Sequence, residues 1–412
     1  MSLPLGALAE RNFRLLFSST TISGVGDGIS NVALAFAVLQ VSDSPISLGL
    51  VLAARQVANA GIVLAAGVWA DRLPRQVILI AAAVVMGAAQ TATGMFVLTG
   101  HATVWLLVVL QIVYGLADGF VIPASMGLIP VTISPARLQD ANALLGLSQN
   151  GSRIIGPALG GALVAIGSPG AALLVDAGTF AAAAALLFPL RLPGRADVIE
   201  SKPFIHELRE GWGEFRRQTW LWTTIVFFGL GNFAFSSYFV LGPVVAKQDL
   251  GGAPAWAAMT TGFSVGSLLG GLVALRIRPR KPLAASCMAA WAIILQPLGL
   301  ALGLPLWALV LCSAVAGIGL AVHLALWFTV FQQQVPAESM SRVSSYDAFG
   351  SFVLGPLGAA LAGPVAAGIG VRETLLVAVG VIAVTEAIVF AQPSVHAIRA
   401  PARTREPEPE TA

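Results

Sequence analysis

Charge is what this sequence has least of. Asp, Glu, Lys and Arg together make up 10% of the 412 residues and apolar residues 57%, whereas soluble domains carry about 25% charged and about 45–50% apolar residues. A water-soluble particle could not cover its surface with so few charges, so the excess apolar area must face lipid. Cysteine is scarce too. Cys287 and Cys312 are the only two, which excludes a disulfide framework and a four-ligand zinc site. The net charge of +3 comes from basic residues at loop ends with no interleaved aromatics, so nucleic acid is not expected as a partner. No G-x-x-x-x-G-K-[ST] loop occurs, and no polar stretch is long enough for an ATPase domain, which excludes a nucleotide-driven pump. Clustered metal-binding carboxylates and a His/Asp nucleophile system are also missing. The expectation is therefore no enzyme, no metal and no cofactor.

What the chain has in abundance is long apolar runs. Twelve can be read: Leu15–Val41, Ser47–Ala70, Val77–Leu98, Val104–Leu128, Ala141–Ile166, Gly170–Leu190, Trp220–Ala246, Trp256–Leu275, Leu283–Leu302, Leu306–Phe331, Val343–Ala366 and Arg372–Ala391. Each is long enough to cross about 30 Å of hydrocarbon at about 1.5 Å per residue. They predict an all-α membrane protein, because the short alternating segments of a β-barrel are missing. The first run is too long for a cleavable signal peptide. With the N-terminus in the cytoplasm, only Lys247 and Arg372 fall outside, and Arg55 and Arg153 lie within spans. Every other Lys and Arg, from Arg11 and Arg14 to Arg403 and Arg405, is inside. That asymmetry predicts two cytoplasmic termini, and the short loops point to a bacterial cell membrane.

An internal repeat divides the runs. Gly156-Pro157-Ala158-Leu159-Gly160 in the fifth is matched by Gly355-Pro356-Leu357-Gly358 in the eleventh, and Gly67…Arg72…Arg75 after the second by Gly271…Arg276…Arg280-Lys281 after the eighth. Features repeated six spans apart predict two pseudo-symmetric six-helix bundles, residues 1–190 and 220–391, around a midplane site. Residues 191–219 form a cytoplasmic linker whose Ile205–Phe215 section has the periodicity of an interfacial helix. Residues 392–412 are Pro- and charge-rich and are expected to be a disordered cytoplasmic tail.

The loop Gly67-Val68-Trp69-Ala70-Asp71-Arg72-Leu73-Pro74-Arg75-Gln76 resembles the signature loop of the major facilitator superfamily, G-x-x-x-D-R-x-x-R-K, with Gln76 in place of the last basic residue. The resemblance implies a conformational latch of Gly67, Asp71, Arg72 and Arg75 that holds the two halves together on the cytoplasmic side. The second-half copy has Leu275 where the Asp should stand, so no latch role carries over there. The stretch from Gly151 to Gly161 resembles the exporters' G-x-x-x-G-P-x-x-G-G motif, with Ser152 at its first glycine. In physical terms, Gly156, Gly160 and Gly161 let helices pack backbone to backbone, while Pro157 bends its helix. Within the superfamily the chain is similar to the enterobactin and macrolide exporter branch. That similarity rests on Asn12-Phe13-Arg14-Leu15 leading into Gly24-x-Gly26-Asp27-Gly28, on Asp118-Gly119-Phe120, and on Arg137-Leu138 followed by Asn142-Ala143-Leu144. Many family antiporters carry R-x-x-x-G in the fourth span. Here Gln111 precedes Gly115, so proton coupling through that arginine is unavailable.

An ionisable group at mid-membrane costs about 2.5–3.5 kcal/mol, so each one needs a reason. Asp27, Asp118 and Arg153 fall near mid-depth and Arg55 and Asp176 nearer the outer third, all in the first half. These five are the candidates for proton and substrate coupling, with Asp27 or Asp118 taking a proton and Arg153 or Arg55 tuning its affinity. The plainer alternative is buried pairs that only lock helices together, with Asp176 reaching the outer interface. His323 reads as a satisfied interior histidine, beside Glu386 and Asp347 in the second half. Phe36, Phe120, Phe235 and Trp327 are candidates to line an apolar cavity. The expected function is a monomeric secondary transporter that uses the proton gradient to export hydrophobic or amphipathic small molecules, such as drugs or siderophores. The alternatives are an uptake symporter of the same fold, a membrane-embedded transferase and a non-transporting receptor.

Overall fold

Apolar runs surrounded by lipid have no water to satisfy their backbone, so each must close its own hydrogen bonds as a helix. The computed structural model describes residues 5–72, 74–190, 217, 219–335, 343, 347, 350–351 and 353–399. Its first half comprises α1 (Arg11–Val41), α2 (Pro45–Arg72), α3 (Arg75–Leu98), α4 (Val104–Asp118), α5 (Val121–Thr132), α6 (Leu138–Ile166) and α7 (Pro169–Leu187). The second comprises α8 (Thr219–Asp249), α9 (Ala253–Arg276), α10 (Pro282–Ala290), α11 (Leu295–Ala301), α12 (Leu306–Gln334), α13 (Gly355–Ile369) and α14 (Val371–Ala391), with α15 (Pro393–Ala397) after it. Among the described residues, nine helical segments are long and apolar enough to cross a membrane. The other three of the twelve expected spans correspond to α2, α6 and α13.

Two spans depart from the unbroken helices expected of them. The fourth is split into α4 and α5 at Gly119-Phe120, because Pro123 lacks the N–H that would close on the Gly119 carbonyl. The ninth is α10 and α11 joined by the 3₁₀ turn Trp291–Ile294, where Pro297 likewise leaves the Ile293 carbonyl without its helical donor. The tail also differs from expectation at its start. Pro393–Ala397 is helical, and Val395 is fully buried where this helix packs against α8, α10 and α14. A hydrophobic anchor therefore delays the polar segment by about two turns. The Ile205–Phe215 section and residues 400–412 lie outside the described residues.

The packing repeats between halves. In the first, α1 lies against α6 and α7, α2 against α4, and α3 against α4 and α7. In the second, α8 lies against α13 and α14, α9 against α12, and α10–α11 against α12 and α14. The two most extensive contacts between the halves are themselves equivalent, α2 with α13 and α6 with α9. The ends of α1 and α8 meet, since Lys247 Nζ at the end of α8 donates to Leu39 O at 2.6 Å. Gln392, after α14, accepts from Thr223 at the start of α8. The starts of α1 and α8 and the end of α14 therefore share one end of the molecule, here the terminal end. There Glu10, just before α1, accepts from Ser134 N at 2.9 Å and Oγ at 2.6 Å. Those bonds, with Arg137 beside them, hold the Glu10 carboxyl below its ordinary range and tie α1 to the turn before α6.

At the opposite, far end one continuous apolar core draws on both halves: Val32 to Leu39 of α1, Leu48 and Val51 of α2, Tyr238 to Ala246 of α8 and Ala253 to Met259 of α9. Lys247 and Asp43 close it with an ion pair at 2.6 Å. Towards the terminal end the apolar clusters belong to one half or the other. Leu16, Ile78 and Leu128 pack within the first, and Leu221, Leu283 and Trp327 within the second. Among the described residues, the apolar packing joins the halves at the far end, while each cluster at the terminal end stays within one half.

Candidate functional site

Between the halves lies a cavity of about 360 Å³, within the range of small-molecule sites. Its two walls are chemically unlike. The first half contributes Asp27 and Asn31 of α1 and Gln149, Ser152 and Arg153 of α6. The second contributes the aromatic Phe235, Tyr238 and Phe239 of α8 and Phe263 of α9, with the neutral polar Thr260, Ser264 and Gln296 among them. Helix geometry explains each wall. Phe235 and Phe239 are four residues apart, and so on one helix face, and Tyr238 stacks on Phe235 with ring centroids 5.4 Å apart. On the polar wall the helices come very close, because a methyl group added to Gly28 or Gly156 would overlap the backbone of the other. That approach brings Asp27 of α1 and Arg153 of α6 to the same cavity.

Behind the polar wall a network runs through the first half. Tyr114 of α4 donates its hydroxyl to Asp27 Oδ1 at 2.8 Å, and the Arg55 guanidinium lies 4.0 Å from the centre of the Tyr114 ring. Arg55 is near enough to Asp27, Asp118 and Asp176 to interact with all three. Asp118 accepts from Asn59 Nδ2 at 3.0 Å. Asp176 is fully buried and accepts from Gln90 Nε2 at 2.6 Å, while the same amide donates to Ser30 Oγ at 2.5 Å. Asp176 abuts Gly26, where any added methyl would strike it. It is therefore packed one residue from Asp27 and does not reach an outer interface.

Four of the five candidate charges thus come together. Arg153 does not join them. It is exposed, on the cavity surface, and the cation beside Asp27 is Arg55. The glycines and proline of the α6 motif are all buried, and they serve two contacts. Gly156 and Gly160 meet α1, while an added methyl on Gly161 would strike Ala257 of α9, across the join between the halves. Of the latch residues, the side chains of Gly67, Asp71 and Arg72 lie outside the described residues. Arg75 opens α3. Gln76, where the family signature has a basic residue, donates to Leu187 O at 2.9 Å at the end of α7, within its own half.

The aromatic candidates separate. Phe235 lines the cavity, Phe36 sits in the far-end core, Phe120 packs beside α3 and α5, and Trp327 packs in the second half. His323 is buried, with Nδ1 2.9 Å from Ser286 Oγ and its ring edge-on to Phe228. Asp347 faces Trp327 Nε1 at 3.4 Å. Neither His323 nor Asp347 reaches the cavity. Several contributors were not singled out in the sequence: Tyr114, Gln90, Asn59, Tyr238 and Gln296. Tyr114 alone could have been found, as one of three tyrosines and one helical turn before Asp118. Gln296 lines the cavity with its Nε2 donating to Tyr238 Oη at 3.1 Å, and its Oε1 is without a partner.

Comparison with known proteins gives a consistent picture. The sequence model of the Major Facilitator Superfamily matches residues 16–358. Macrolide efflux protein A of Streptococcus pyogenes is 23% identical over 393 residues, covering 94% of this chain and 96% of the relative. Enterobactin exporter EntS of Shigella flexneri is 28% identical over 367 residues, covering 84% and 85%. Among solved structures, a bacterial homologue of the iron transporter ferroportin in an inward-facing state superposes with a TM-score of 0.70 at 17% identity, covering 92% of this chain and 98% of that one.

Proposed function

The chain belongs to the Major Facilitator Superfamily, and we propose that within it the protein is a proton-driven exporter of amphipathic small molecules, drugs or siderophores among them. The observation that carries this reading is the cavity at the join of the halves, with a charged wall on one side and an aromatic wall on the other. An apolar body fits the aromatic face, and polar groups meet the other. The efflux relatives point the same way as to direction. The excess of Lys and Arg expected at the terminal end supports a cytoplasmic position for that end, in a bacterial cell membrane. With that orientation, the apolar core shared by the halves lies on the outer side, which suits a state that loads cargo from the cytoplasm.

Coupling needs a group that cargo and proton both contact. Asp27 is placed for this, since it lines the cavity and also joins the Tyr114–Arg55 network behind it. A proton on Asp27 withdraws the charge that organises the polar wall. Alternation between the halves then carries cargo one way and the proton the other, with a coupling of about 1–3 kcal/mol. The test is transport in reconstituted vesicles with an imposed pH gradient, offered a panel of lipophilic drugs and siderophores. At least one compound is expected to move against its gradient, and Asp27→Asn to reduce that flux to background. Full gradient-driven flux in Asp27→Asn would remove Asp27 from the mechanism.

A further inference from the structure

The two cavity-facing charges are not in equivalent situations. Asp27 has partners in the protein, the Tyr114 hydroxyl at 2.8 Å and the Arg55 guanidinium lying behind that ring. Arg153 has none. No carboxylate among the described residues is within ion-pair distance of it, and it donates no hydrogen bond to them. It nevertheless sits at membrane depth, one turn before the Pro157 bend, exposed on the cavity wall. A guanidinium there costs free energy unless something answers its charge, and charged groups so placed mark the route of what passes. Five N–H donors in a planar fork match carboxylates and other oxyanions far better than any cation. Across the cavity the aromatic wall of Phe235, Tyr238, Phe239 and Phe263 offers apolar surface and no positive charge.

From this we infer that Arg153 is the docking group for an anionic head on the cargo, and that the protein prefers amphipathic anions whose apolar body lies on the aromatic wall. The inference rests on the export reading only in taking the cavity as the cargo site. It commits that site to one sign of charge, which the export reading leaves open.

The test is binding without any gradient, using 1-pyrenebutyrate and 1-pyrenebutylammonium, amphipathic ions with the same apolar body and head groups of opposite charge. Each is titrated into the full-length protein in detergent, with micelle blanks subtracted. The readout is the ratio of anion to cation affinity, compared between proteins so that partition into detergent cancels. A charge-assisted hydrogen bond corresponds to about tenfold or more in affinity. Arg153→Gln is therefore expected to lower the ratio by about that factor, and Arg153→Lys to retain most of the preference. An unchanged ratio in Arg153→Gln would overturn the proposal. So would a ratio in Arg153→Lys as low as in Arg153→Gln, since it would trace the effect to shape and not to charge. Should Arg153→Gln fail to fold, Arg153→Lys is set against Arg153→Met, which keeps the length of the side chain and removes its charge. Failure here leaves gradient-driven export standing, whereas failure of the vesicle experiment leaves the anion preference measurable.

Discussion

A phenol that donates to Asp27 and also carries Arg55 on its ring face has two separable roles, and substitution can separate them. Tyr114→Phe removes the 2.8 Å hydrogen bond and keeps the ring beneath the guanidinium. A hydrogen bond to a charged group contributes about 1.5–3 kcal/mol, enough to change the proton affinity of Asp27. Gradient-driven efflux in Tyr114→Phe is therefore expected to fall by about tenfold, with the unfolding temperature in detergent nearly unchanged. Tyr114→Leu also removes the cation–π contact of about 2 kcal/mol, so both efflux and unfolding temperature should fall. If Tyr114→Phe transports normally, the hydroxyl is only structural. The contrast between Asp27 and Tyr114 also shows what was legible at this scale. Asp27, Arg55, Asp118 and Asp176 stand out in the sequence because an ion in an apolar run is expensive. Tyr114, Gln90 and Asn59 do not, because neutral polar residues cost little in a helix. Only the packing of α2, α3, α4 and α7 around α1 reveals which of them reach a carboxylate.

At the scale of elements, the contact between α1 and α6 depends on an absence of side chains. Gly28 and Gly156 face each other so closely that a methyl group on either would enter the other's backbone. Overpacking of that kind costs about 1–3 kcal/mol, because two helices must move apart along their length. Gly156→Ala is expected to lower the unfolding temperature by several degrees. Gly151→Ala, on the same helix with nothing near its added methyl, should be neutral or slightly stabilising, since alanine favours a helix more than glycine by about 1 kcal/mol. Equal effects in both variants would mean that helix propensity, not close approach, governs α6. The α6 motif was readable as a packing device from its small residues and proline. That Gly161 reaches across to α9 was not, because a sequence does not say which neighbour a small residue admits. The splits at Gly119 and at Trp291–Ile294 were hidden for a related reason. Pro123 and Pro297 were visible, but a proline in an apolar run can bend a helix or break it, and the surrounding packing decides which.

For the whole molecule, the question is what keeps the far end shut. The apolar core shared by α1, α2, α8 and α9 supplies most of the closure, and the polar clasp at its rim sets how readily it opens. The clasp is unequal. The Lys247 side chain is 36% exposed and that of Asp43 is 82% exposed, so their ion pair is largely screened and contributes about 0–1 kcal/mol. Lys247 also donates to Leu39 O, an end-of-helix carbonyl of α1, and that bond crosses the halves at backbone level. Lys247→Gln should therefore shift the population towards a state open at the far end more than Asp43→Asn does, as read by spin-label distances across the far end. A covalent version is sharper still. With Cys312 replaced by Ser, Asp43→Cys and Lys247→Cys joined through two disulfides by a short bis-methanethiosulfonate reagent should hold the far end closed and stop transport. Substrate binding from the terminal end should survive, and reductive cleavage of the tether should restore flux. Transport that continued through the tether would show that the far end need not open. The two equivalent joins, α2 with α13 and α6 with α9, would then not be the pivots on which the halves rock.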